Sequence, residues 1–78
     1  MNWRVVKIKE SDFLILIGFS KDESLNGRIE FDKRTNKYKV VSLSKDCDDF
    51  DVNWLMGHLQ ILIKQDKLSF KPYRMSIG

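Results

Sequence analysis

The chain has 78 residues, of which 42% are hydrophobic and 32% charged, with a formal net charge of +3 at pH 7. These values exclude a disordered chain and fit one small globular domain over residues 1–78. At this size a single core is only just sufficient, and pairing with a second copy is one way to complete it.

Trp3 to Lys9 reads as a first strand, with Val6 and Ile8 on one side and Trp3, Val5, Lys7 and Lys9 on the other. Glu10, Ser11 and Asp12 form a polar turn. Phe13 to Phe19 is apolar on both faces: Phe13, Ile15, Ile17 and Phe19 make one row, Leu14 and Leu16 the other. Such a strand belongs in the centre of a sheet, covered at least in part on both sides. A polar loop from Lys21 ends at Asn26-Gly27, a pair suited to positive φ. Gly27 to Asp32 alternates, with Ile29 and Phe31 inward, and the turn Lys33 to Asn36 leads into Lys37 to Leu43. Tyr38 and Val40 share one face of that last strand, and Lys37, Lys39, Val41 and Leu43 the other. The pattern predicts a four-stranded antiparallel meander.

The acidic connector Ser44 to Phe50 leads to Asp51–Lys67, the only segment with a sustained helical period. Asp48 or Asp51 is placed to cap it, and the surrounding carboxylates suit the positive end of the helix dipole. Leu68 to Ile77 is extended, and Pro72 restricts it to an edge strand or an arm lying across the domain. The fold class expected is α+β: a four-stranded sheet, one amphipathic helix packed on it, and this C-terminal segment.

Residues able to carry chemistry are few. Cys47 is the only cysteine, so no disulfide can form within the chain. It lies among carboxylates, which raise a thiol pKa, and reads as structural rather than nucleophilic. His58 is the only histidine, and no serine lies in a nucleophile elbow. Asp46, Asp48, Asp49 and Asp51 lack the glycine and the terminal glutamate of a calcium loop, and the four glycines are too scattered to cradle a phosphate. The sequence therefore leads us to expect no enzyme activity, no metal and no cofactor. The longest apolar run, Phe13 to Ile17, is too short for a bilayer, and no apolar leader segment is evident. A cytoplasmic protein without membrane contact is the corresponding expectation.

Two binding surfaces compete. Of the 14 cations, ten are Lys and four Arg, and Lys7, Lys9, Lys37 and Lys39 alternate on strands. With Trp3 they make a candidate face for single-stranded nucleic acid, although Leu14, Leu16, Val41, Leu43, Glu30 and Asp32 interrupt it. Lysines at outward strand positions also guard sheet edges against aggregation. On the helix, Val52, Leu55, Met56, Leu59, Leu62 and Ile63 gather within an arc of about 120°, enough for one core. Trp54 and Ile61 fall opposite that stripe, with His58 and Gln65 beside them. Three occupants fit there: the C-terminal arm through Phe70, Tyr73, Met75 and Ile77, a second copy, or a different protein anchored on Trp54. The residues favour a non-enzymatic protein–protein interaction module of inhibitor, immunity or adaptor type, working through Trp54, His58, Ile61 and Gln65. The alternative is a nucleic-acid binder using Trp3, Lys7, Lys9, Lys37 and Lys39.

Overall fold

A computed structural model describes residues 2–22 and 24–76. Strands β1 (Asn2–Glu10), β2 (Leu14–Ser20), β3 (Gly27–Asp32) and β4 (Lys37–Ser42) precede helix α1 (Asp49–Lys64), and β5 (Tyr73–Ser76) closes the chain. All five strands form one sheet in the order β4-β3-β2-β1-β5, and every neighbouring pair is antiparallel. The expected meander is present, and the C-terminal segment joins it as an edge strand beside β1. Pro72 sits just before β5, where it removes no donor from the ladder.

The strand with two apolar faces, β2, is central, as its sequence requires. Only one of those faces meets the helix. Ile15, Ile17 and Phe19 are buried there with Trp3 and Val5 of β1, Ile29 and Phe31 of β3, and Met75 of β5. Against them α1 packs Val52, Leu55, Met56, Leu59 and Leu62, and Leu68 closes the lower side. On the outer face no helix or strand covers Leu14, Ile8 and Val41, which remain exposed.

Register corrects the reading of β1. Val5 pairs with Phe19 and Lys7 with Ile17, so Trp3, Val5 and Lys7 belong to the helix side. An irregularity between Lys7 and Lys9 then puts Lys9 opposite Leu16, on the outer face. One additional residue in a strand reverses the side on which the rest of it points. Simple alternation had placed Lys9 with Trp3 and Lys7, and the bulge separates them.

Glycine and the turns supply a second correction. Gly27 does not have a positive φ; that backbone state falls on Leu25 (φ 52°) and Asn36 (φ 58°). Gly27 is required for space instead, since a Cβ there would lie 2.4 Å from the Phe19 ring. Asn36 ends the β3–β4 turn by donating its N–H to the Asp32 carbonyl at 2.9 Å, and asparagine is among the residues that best tolerate this backbone region.

Candidate partner-binding face of the helix

Two hydrogen-bonded ends fix the limits of α1. Asp48 is the N-cap: its carboxylate accepts from the Asp51 N–H at 2.8 Å, and Asp51 returns the contact by accepting from the Asp48 N–H at 3.2 Å. This reciprocal capping box starts the helix at Asp49, two residues before the periodicity suggested. At the other end Asp66 has φ 55°, the Lys67 N–H donates to the Leu62 carbonyl and the Asp66 N–H to that of Ile63. That is a Schellman stop with aspartate in the position glycine usually fills, and it ends the helix at Lys64 rather than Lys67.

The earlier start adds a residue that periodicity alone missed. Phe50 is helical and 76% exposed, and it lies on the same side as Trp54, 55% exposed, and Ile61, 53% exposed. At ~100° per residue these three fall within an arc of about 40°, roughly opposite the buried stripe. The spacing Asp48-x-x-Asp51 was the available signal for the true start. The His58 ring lies beside Trp54, with centroids 6.1 Å apart and planes at 46°. Gln65, as C-cap, is exposed at the end of the same side. The four predicted residues therefore share one surface, with Phe50 in addition.

Nothing in the rest of the described chain covers this surface. β5 pairs with β1 at the sheet edge, so Met75 is buried against Trp3 while Phe70 and Tyr73 stay exposed. The arm does not fold over Trp54 and Ile61; Ile77, assigned to that cover, lies outside the described residues. Gly57 sits on the exposed side, and a Cβ added there would meet no atom within 4 Å. A glycine in a helix interior costs about 1 kcal/mol relative to alanine, and packing within the domain gives no reason for it.

The lysine-rich set is divided by the fold. Trp3 is 0% exposed, tilted against Phe19 at 6.4 Å, and has the Lys21 ammonium 5.5 Å from its ring. Its indole N–H is buried without a hydrogen-bond partner. Lys7 is also buried on the helix side, where its ammonium meets Glu10 at 2.8 Å and lies 5.4 Å from the Phe70 ring centroid. Lys33 reaches the same Glu10 at 2.9 Å, and those two hydrogen bonds hold the Glu10 carboxyl below its ordinary pKa. Lys7, Glu10 and Lys33 border a hollow of about 80 Å³. Lys9, Lys37 and Lys39 remain together on the outer face, with Lys39 opposite Glu30 and Lys37 opposite Asp32. The strand positions of that face carry no aromatic ring among the described residues. Arg28, on the same outer face, lies over Gly18, its guanidinium donating to the carbonyls of Leu25 and Gly27.

The acidic connector is used for structure. Asp46 accepts from the backbone N–H groups of Lys21 and Asp22 at 3.2 and 3.0 Å, from the Ser44 hydroxyl at 2.7 Å and from the Cys47 thiol at 3.2 Å. Burial works to raise its pKa, but the hydrogen bonds from Ser44 and Cys47 outweigh that and leave it low. Asp51 meets the Lys21 ammonium at 2.8 Å, which holds its carboxyl below the usual range. Burial first, and then the Asp46 carboxylate, push the Cys47 thiol up to about 12. Such a thiol is neutral and poorly nucleophilic at ordinary pH. Among the described residues no three His, Cys, Asp or Glu side chains converge as metal ligands, and no helix is long and apolar enough to cross a membrane. The chain matches no family model, no curated protein and no solved structure with which it was compared.

Proposed function

We propose that the protein is a non-enzymatic protein–protein interaction module, of inhibitor, immunity or adaptor type, whose binding surface is the outward side of α1. The observation that carries this reading is the exposure of Trp54 and Ile61 on a helix whose opposite stripe already satisfies the core. A monomer gains nothing from aligning Phe50, Trp54 and Ile61 away from its own interior. Large apolar side chains aligned on one exposed face are characteristic of contact surfaces, and tryptophan is enriched among residues that dominate binding energy. Gln65 and His58 supply a polar margin, as binding surfaces usually have.

The single-strand reading receives less support. Binding of that kind relies on aromatic rings stacked on bases within a cationic groove. The outer sheet face has the lysines, but Trp3 is in the core.

Copurification of the tagged chain from native extract, with captured proteins identified by mass, tests the proposal. The wild type is expected to retain a defined partner, and Trp54→Ala to lose it while keeping a native circular-dichroism spectrum. If Trp54→Ala and Ile61→Ala instead unfold the chain, or leave all association unchanged, the surface is not a binding site. Oligonucleotide binding at low salt that weakens steeply with added salt and depends on Lys9, Lys37 and Lys39 would favour the alternative.

A further inference from the structure

We infer that the occupant of this surface is a second copy of the same chain, with the two α1 helices packed antiparallel and crossing at Gly57. The inference rests on the reading of α1 as a binding surface and specifies what it binds. Three properties of the helix support it.

The first is its internal symmetry. Trp54 and Ile61 flank Gly57 and His58 at nearly equal distances along the helix. A twofold axis at that point sets Trp54 of each copy on Ile61 of the other, a self-complementary contact. Phe50 then lies against the aliphatic parts of Lys64 and Gln65 of its mate. The second is Gly57 itself, open on the side of the crossing. Helix axes approach to about 8 Å only where the residues at the contact are small. Glycine at the crossing turns a local weakness of the helix into room for the second backbone.

Charge is the third, and it fixes the direction. Asp48 and Asp49 lie at the start of the helix, Lys64 and Lys67 at its end, and Asp66 offsets part of that positive end. Asp51 is already engaged with Lys21. Antiparallel packing brings each acidic start to a basic end and opposes the helix dipoles favourably, whereas parallel packing sets like charges together. The size is also adequate. From the usual 150–250 Å² of an aromatic side chain, Phe50, Trp54 and Ile61 leave on the order of 400 Å² exposed per copy. Two such faces, with Asn53, His58 and Gln65 at their margins, reach about 1,200 Å², the lower end of specific interfaces. A reversible dimer dependent on concentration follows.

Sedimentation velocity across a concentration series tests this directly. The wild type is expected to shift from monomer to dimer. Gly57→Gln, for which the isolated domain has open space, should weaken dimerisation at least tenfold while leaving the melting temperature of the dilute protein equal or higher. Lys64→Glu should weaken it several-fold, because in the antiparallel pair it sets a carboxylate against the acidic helix start of the other copy. A wild type that remains monomeric at every concentration overturns the inference, as does a dimer that Gly57→Gln and Trp54→Ala leave intact. Its failure is separable from that of the broader reading. If the wild type is monomeric but Trp54→Ala still abolishes capture of a different protein, only the homodimer is lost.

Discussion

Cys47 shows how neighbours set the chemistry of a single residue. Its thiol donates to Asp46 and is pushed up to about 12 by burial and by that carboxylate, so almost no thiolate exists at pH 8. Iodoacetamide is expected to alkylate the native chain at least 100-fold more slowly at pH 8 than the urea-unfolded chain. Reaction at the unfolded rate would show that the thiol is not held in this way. The sign of the stability effect follows. With the folded value above the ordinary 9.0, the neutral thiol's contribution is complete below pH 9 and is lost as pH rises toward about 12. Asp46 and Asp51 act at the opposite limit, because their folded values lie below 3.8. Their contribution is complete above that value and disappears as pH falls through the lower folded ones. A urea midpoint measured against pH should therefore fall at both extremes, and Asp46→Asn should flatten both limbs.

The stability of α1 as an element depends on its two ends and on one of its sides. Asp48→Ala removes the N-cap and is expected to cost about 1 kcal/mol in urea unfolding. Asp66→Gly should act in the opposite direction, raising stability by roughly 0.5–1 kcal/mol, because glycine adopts the left-handed state at φ 55° without the Cβ penalty. The two sides of the helix should separate in the same measurement. Leu59→Ala opens a cavity in a fully buried position and should cost about 2–5 kcal/mol, whereas Trp54→Ala should cost less than about 1 kcal/mol at low protein concentration. Equal losses from both would place Trp54 in the core. The helix was recognisable because its apolar period is strong, but its first two residues were not. Asp49 and Phe50 read as connector until the capping box is seen to close around Asp48 and Asp51.

For the whole molecule the decisive feature is a five-stranded sheet with a helix on one side only. β5 contributes more than an edge. Its Met75 pairs with Trp3 and is buried, while Phe70 in the preceding loop is 62% exposed. Met75→Ala is expected to cost about 2–3 kcal/mol, and Phe70→Ala less than about 1 kcal/mol, when both are compared by denaturant midpoint. Similar costs would mean that the C-terminal segment packs in some other way. On the far side of the sheet, Val6, Ile8 and Arg28 crowd over Gly18, where a Cβ would find them within 3.0–3.1 Å. That face covers part of its own apolar surface with neighbouring side chains, and a second helix is not needed to bury β2.

The sequence by itself determined the elements, their order and the sheet's central strand, because alternation and helical period are local consequences of backbone geometry. It also placed Trp54, His58, Ile61 and Gln65 on one side of the helix, since residues in one helix have fixed angular relations. Only the tertiary structure decided which side of the sheet faces the helix. Strand register puts Trp3 and Lys7 on the helix side and Lys37 and Lys39 on the outer face, and a bulge after Lys7 sends Lys9 outward as well, so the five residues of the lysine-rich face were never on one surface. It also decided what leaves Trp54 and Ile61 uncovered. The C-terminal segment had two possible resting places, and strand pairing with β1 satisfied its backbone hydrogen bonds in a way that lying across a helix does not.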